Sequence, residues 1–169
     1  MSPRDTSGIF FIGRGEADPL LTATMIGNKA SGLAYLDRTG FPVPPAVAFS
    51  ADVCRDYFHN GRLSSGFRPY LESALRRLEE ATELALGPTG SLVLAVRSSP
   101  PVSMPGVLET IGNVGLNDAN IGALIHRTGD PWLAWDAYRR LVRAFAHSVF
   151  GVGRAPFEAR DRQVMQDWH

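Results

Sequence analysis

Residues 91–118, SLVLAVRSSPPVSMPGVLETIGNVGLND, run a continuous apolar stretch into an obligate charge and then into a proline-rich loop. Leu92, Val93, Leu94, Ala95 and Val96 suit a strand covered on both faces, and Arg97 follows at its carboxyl end. A guanidinium keeps its charge. Arg97 must therefore pair with a carboxylate, cap carbonyls, or reach an anionic ligand in the crevice where alpha/beta sheets hold theirs. Pro100, Pro101 and Pro105 fix their own backbone and push each preceding residue toward an extended conformation, so the connection is stiff.

Elements on either side follow from periodicity and punctuation. Ile9, Phe10, Phe11 and Ile12, between Gly8 and Gly13, read as a strand leading into a turn. Gly27 to Ala34 reads as a loop feeding a short helix that closes at Gly40, with Lys29 in its first turn. A cation is poorly placed there, because the partial charge at a helix N-terminus is positive, and a bound anion would offset the cost. A solvated surface lysine is the other reading. Gly40 to Pro45 is a rigid connector into an apolar strand, Ala46 to Phe49, after which Ser50 caps a helix ending near Asn60-Gly61. Cys54 reads as a core residue of that helix, with Val53, Tyr57 and Phe58. Leu71, Ala74, Leu75, Leu78 and Ala85 recur at three and four residues and predict an amphipathic helix over about 68–86, stopped by Gly87-Pro88. Asp118 is the expected cap of a short helix to Gly129. Asp130-Pro131 starts a longer one, whose stripe of Trp132, Trp135, Tyr138, Leu141, Phe145 and Phe150 predicts packing between helices. Pro156 to Trp168 closes the chain with a further helical spacing.

With 17 basic and 17 acidic side chains in 169 residues, the charge balances without a basic stripe, which disfavours nucleic acid as a partner. One cysteine excludes an intramolecular disulfide, and no apolar run approaches the roughly 20 residues that cross a bilayer. No leader precedes the first strand, so the expected compartment is the cytoplasm. His59, His126, His147 and His169 lack ligand spacing, and no metal residues are expected.

Val96-Arg97-Ser98, Ser103-Met104-Pro105-Gly106, Glu109-Thr110 and Gly115-Leu116-Asn117-Asp118 resemble, in order, the nucleotide-binding domain of the pyruvate phosphate dikinase and phosphoenolpyruvate synthase family. The corresponding family motifs are VRSGA, SMPGM, DT and GLND. Lys29 falls on the lysine of its GGKGxNL pattern, with Asn28 and Ala30 in place of glycines and Gly32 in place of the asparagine. Gly40 to Phe49 is similar to GLPVPPGF, with Ala46 for a glycine, and Trp135 to Arg140, WDAYRR, to WDSYRR. Ser99, Pro100 and Pro101 stand where the family has Gly, Ala and a second Arg, which removes one positive charge.

The resemblance implies an α+β fold: a single partial ATP-grasp-like nucleotide-binding domain over 1–169, with a small sheet in a strand-containing lobe at about 1–112 and a helical lobe at about 113–169. It implies ATP and Mg2+ as cofactors, Arg97 as the catalytic residue, and Lys29, Arg97, Ser103, Gly106 and Thr110 as the residues that bind the cofactor. Glu109 matches a family aspartate. The resemblance covers only the front of that domain. Later acidic residues, a Gln-Thr-Arg motif, the phosphohistidine domain and the pyruvate barrel have no counterpart. The expected function is thus the ATP-binding portion of a dikinase-like phosphotransferase, incomplete alone, with the rest of the site supplied either by a second polypeptide or by a longer chain of which this is a piece. The alternative is a non-catalytic interaction or regulatory module derived from that domain.

Overall fold

The computed structural model describes residues 8–102 and 110–167; Ser103, Gly106 and Glu109 lie outside them. Two compact units divide the chain, Met1–Ala85 with Ser99–Pro105, and Leu86–Ser98 with Gly106–His169. Helices and two small antiparallel sheets make the fold α+β.

In the first unit, strand β1 (Ile9–Ile12) pairs antiparallel with β2 (Ala46–Phe49), from Ile9 opposite Phe49 to Ile12 opposite Ala46. Aromatic and β-branched residues fit this half-covered ribbon, and Ile12 is fully buried. Helix α1 (Ala23–Arg38) supplies Ile26 and Ala34 to a core shared with Ile12, Ala17, Leu21 and Ala48. The helix is broken at Gly27, whose φ of 79° and ψ of 167° are not helical, and it restarts at Asn28. Lys29 therefore does stand in a first turn. The positive φ of this turn belongs to Gly27, and Asn28, which stands on a glycine of the family pattern, has none.

Helix α2 (Ala51–Asn60) ends at Gly61 as its punctuation predicts, with φ of 66° at the glycine. Ser50 occupies the cap position, yet its hydroxyl makes no cap bond, and its backbone N–H donates to Gly8 O at 2.7 Å. Cys54 is exposed, contrary to the core assignment, since α2 buries none of its residues in this unit. Helix α3 (Phe67–Thr82) packs on both strands and buries Leu78, and its Arg77 guanidinium lies over the Phe11 ring of β1 at 4.1 Å. It stops ahead of Gly87-Pro88, at left-handed Glu83, where the Thr82 hydroxyl donates to Leu78 O at 2.7 Å.

In the second unit, β3 (Leu94–Val96) pairs antiparallel with β4 (Ile111–Val114). The expected strand is shorter and less covered than its apolar run suggested: Leu92 is buried but Val96 is exposed, because the sheet has two strands and β4, not β3, packs on the helix behind it. Leu94 faces Val114 and Val96 faces Ile111, so β4 carries one extra residue. Asn113 absorbs it with φ of 58°, a conformation that asparagine tolerates better than most residues.

Helix α4 (Ile121–Thr128) begins after Asn120, not at Asp118. Asn120 is buried: its Oδ1 accepts from Asn117 N at 2.8 Å, and its Nδ2 donates to Gly90 O and Gly115 O. Helix α5 (Pro131–Phe150) starts as read, with Asp130 Oδ1 accepting from Leu133 N at 3.0 Å and Pro131 at the first position. Ala134 and Leu141 are its buried residues, whereas Trp132, at 76% exposure, Trp135 and Phe150 are open, so the aromatic stripe is not spent on packing between helices here. Helix α6 (Ala155–Asp167) is tied to α5 by Asp161, which accepts from Arg139 at 2.7 Å and Arg143 at 3.4 Å. Among the described residues, no helix is long and apolar enough to cross a membrane.

Candidate functional site

Lys29 is the only lysine in the chain. The break at Gly27 places it one residue into the restarted part of α1, exposed, and among the described residues no carboxylate pairs with it. The backbone around it is held tightly. Asn28 N donates to Pro100 O at 3.1 Å, Asn28 Nδ2 to Pro101 O at 2.6 Å, and Ala30 N to Ser99 Oγ at 3.1 Å. The first unit thus carries its cation on a turn fastened to the proline-rich segment.

Asp37, at the other end of α1, is 3% exposed and accepts from Gly13 N at 3.2 Å, Gly15 N at 2.9 Å and Ala17 N at 3.0 Å. Burial alone would push its carboxyl up, but the three N–H donors, with Arg38 alongside, outweigh it and hold the group below the ordinary carboxylate range. This carboxylate folds the turn after β1 onto α1. Sequence reasoning passed over it. The available signal was its spacing from Ile26, Ala30 and Ala34, which puts an acid on the buried stripe of a helix.

In the second unit, Arg97 and Thr110 are the residues next beyond the Val96–Ile111 pair, so the antiparallel register brings them to the same end of the β3–β4 sheet. Both are exposed, and among the described residues Arg97 has no carboxylate partner. The connection from Arg97 to Thr110 also carries Ser103 and Gly106. Behind the sheet, Asn113 Nδ2 donates to Ala137 O within WDAYRR at 3.3 Å, and Asp118 of GLND lies beside Tyr138, whose phenol is raised above its ordinary value by burial first and then by this carboxylate. Asp136 serves Arg139 and Arg140 at 2.7 and 2.6 Å; the Arg139 hydrogen bond, against burial, holds its carboxyl down. These two arginines are thereby committed to an ion-pair network. Gly115, with φ of 108°, passes so close to Leu92 that a Cβ would sit 2.9 Å from its carbonyl oxygen.

A cavity of about 360 Å³ also lies in this unit, lined by Val114, Gly115, Leu141, Val142, Phe145, Ala146 and Phe150. It is apolar throughout, and neither Arg97 nor Thr110 lines it, so the chemistry of the site is not there. Among the described residues, no group of three or more His, Cys, Asp or Glu could hold a metal ion.

No family model matches the chain. Its curated relatives are consistent with one another. Over 144 residues it is 37% identical to the pyruvate, phosphate dikinase of Rhizobium meliloti (strain 1021), covering 84% of this chain and 16% of that protein. The chloroplastic enzyme of Mesembryanthemum crystallinum is 32% identical over 161 residues, 94% of this chain and 17% of its own. The pyruvate, phosphate dikinase of Rickettsia typhi (strain ATCC VR-144 / Wilmington) is 32% identical over 154 residues, 89% of this chain and 18% of its own. The chain thus spans about a sixth of the length of the relatives it matches. By sequence the chain belongs to the pyruvate, phosphate dikinase family, as the counterpart of that sixth.

Proposed function

We propose that the chain is the phosphate-contacting portion of a nucleotide site in a dikinase-type phosphotransferase, with Lys29 and Arg97 on the phosphates of ATP and Thr110, Ser103 and Gly106 beside them, on a partial ATP-grasp-like scaffold. The observation that carries the reading is that both cations are exposed and without a carboxylate partner among the described residues, each on a segment that the fold fastens. An ammonium supplies a compact charge and a guanidinium a planar fork, and together they suit a polyphosphate. Phosphoryl transfer consists largely of positioning and of neutralising charge on the phosphoryl oxygens. Two cations give part of that apparatus, so the reading includes a further polypeptide segment that supplies the rest. Mg2+ enters it only as the counter-ion that the nucleotide brings.

The test is calorimetry with Mg·ATP at constant ionic strength on the wild type, Lys29→Ala and Arg97→Ala. A hydrogen bond to a charged group contributes about 1.5–3 kcal/mol, so each loss should weaken binding by about one to two powers of ten. Arg97→Lys should recover only part, because an ammonium cannot bond bidentately. Wild type without saturable binding up to millimolar ATP, or variants that bind like wild type, would sink the nucleotide reading. The second reading, a non-catalytic interaction module, is favoured by the open Trp132, Trp135 and Phe150 on α5 and would then take its place.

A further inference from the structure

The break at Gly27 leaves the restarted helix without a capping side chain of its own. Gly27 stands where the cap belongs, and there is room for nothing larger: a Cβ on it would lie 1.5 Å from Ser99 O. The missing cap arrives from elsewhere in the sequence. Ser99 Oγ accepts from Ala30 N, the third residue of the restart, which is the bond a serine cap makes, here from 69 residues away. Asn28 closes the contact from the other side, through its backbone N–H to Pro100 O and its side-chain amide to Pro101 O. Of these three hydrogen bonds, two need a side chain, and the family motifs quoted above have glycine at both positions. A glycine can make neither bond. The accepting carbonyls belong to two consecutive prolines, whose fixed φ, with the extended bias that Pro101 imposes on Pro100, narrows the conformations of the segment that carries them.

We propose that Asn28 and Ser99 are positioning residues: a split cap that clasps the Lys29 turn to residues 99–101, so that Lys29 meets a polyphosphate from a backbone held in one conformation. The proposal rests on the nucleotide reading above. It accounts for two departures from the family pattern as one device, since each supplies what the other segment lacks. A free glycine loop pays conformational entropy on closing over a ligand, whereas a clasped turn has lost that freedom beforehand.

The experiment uses the full chain and two readouts. Amide hydrogen exchange at Asn28 and Ala30 reports the clasp without any ligand. Mg·ATP titration, followed by calorimetry and by a 13C-methyl tag on Lys29, which as the sole lysine shares its label only with the N-terminal amine, reports its use. In Ser99→Ala, Ala30 exchange should accelerate about tenfold or more. Ser99→Ala and Asn28→Gly should each weaken Mg·ATP about fivefold, the equivalent of a lost cap. Ser99→Thr, which keeps the hydroxyl, should bind like wild type and guards against a variant that fails to fold. In a Lys29→Ala background, Ser99→Ala should have no further effect on binding, which a merely structural role does not predict. Unchanged exchange at Ala30 in Ser99→Ala overturns the clasp. Accelerated exchange with unchanged affinity, or an undiminished effect in the Lys29→Ala background, overturns the positioning role alone. Wild type that binds no Mg·ATP while both amides are protected overturns the nucleotide reading, and the positioning role with it.

Discussion

Asp37 is buried, charged and satisfied by three backbone donors, so replacing it tests how much one carboxylate holds. In Asp37→Asn the amide's single oxygen cannot serve all three N–H groups and its NH2 opposes one of them. Denaturant unfolding at pH 7 should show a loss of about 2 kcal/mol. The pH dependence has a definite sign. The folded carboxyl lies below its unfolded value, so its stabilisation is present in full above the unfolded pKa of about 3.9 and is lost as pH falls through the folded pKa. Wild type should therefore lose stability below about pH 4 more steeply than Asp37→Asn. Lys29 and Arg97 were singled out because their neighbours fall into motif spacing, whereas Asp37 was not, since its partners are backbone groups about twenty residues away that no side-chain pattern marks. Ser99 was visible only as a departure; its hydroxyl gains meaning from a helix break that glycine spacing hinted at without placing.

Two helix ends with local punctuation were read well, the Asp118 and Gly87-Pro88 signals were each displaced by a few residues, and the elements decided by tertiary covering were misread. Asp130-Pro131 starts α5 and Gly61 ends α2 because cap chemistry is contained in a few consecutive residues. Asp130→Ala, which removes the Leu133 bond, should cost about 1 kcal/mol of thermal or denaturant stability in the second unit, and Asp130→Ser should recover most of it. By contrast, the apolar run before Arg97 looked fully covered, and the bulge at Asn113 left no trace in alternation, because covering depends on how many strands join the sheet. Cys54 and the aromatic stripe of α5 follow the same rule. Apolar spacing shows which face could be buried, and only the assembled neighbours show whether it is.

At the scale of the molecule, neither unit is one continuous piece of chain. The first unit takes back Ser99–Pro105 after Leu86–Ser98 has been given to the second. A chain ending at Ala85 therefore retains β1, β2 and α1 but lacks the partners of Asn28 and Ala30. Its amides at these two positions should exchange freely, a result checked by NMR against the full chain. The same interleaving sets an order on synthesis. As the polypeptide leaves the ribosome, the turn that bears Lys29 emerges about seventy residues ahead of the serine that fastens it. At roughly 5–20 residues per second, that leaves several seconds in which the newborn helix has an uncapped end, and β3, which belongs to the later unit, emerges only just ahead of the serine. A pause in translation after the Lys29 turn has emerged and before Ser99 has would lengthen that interval.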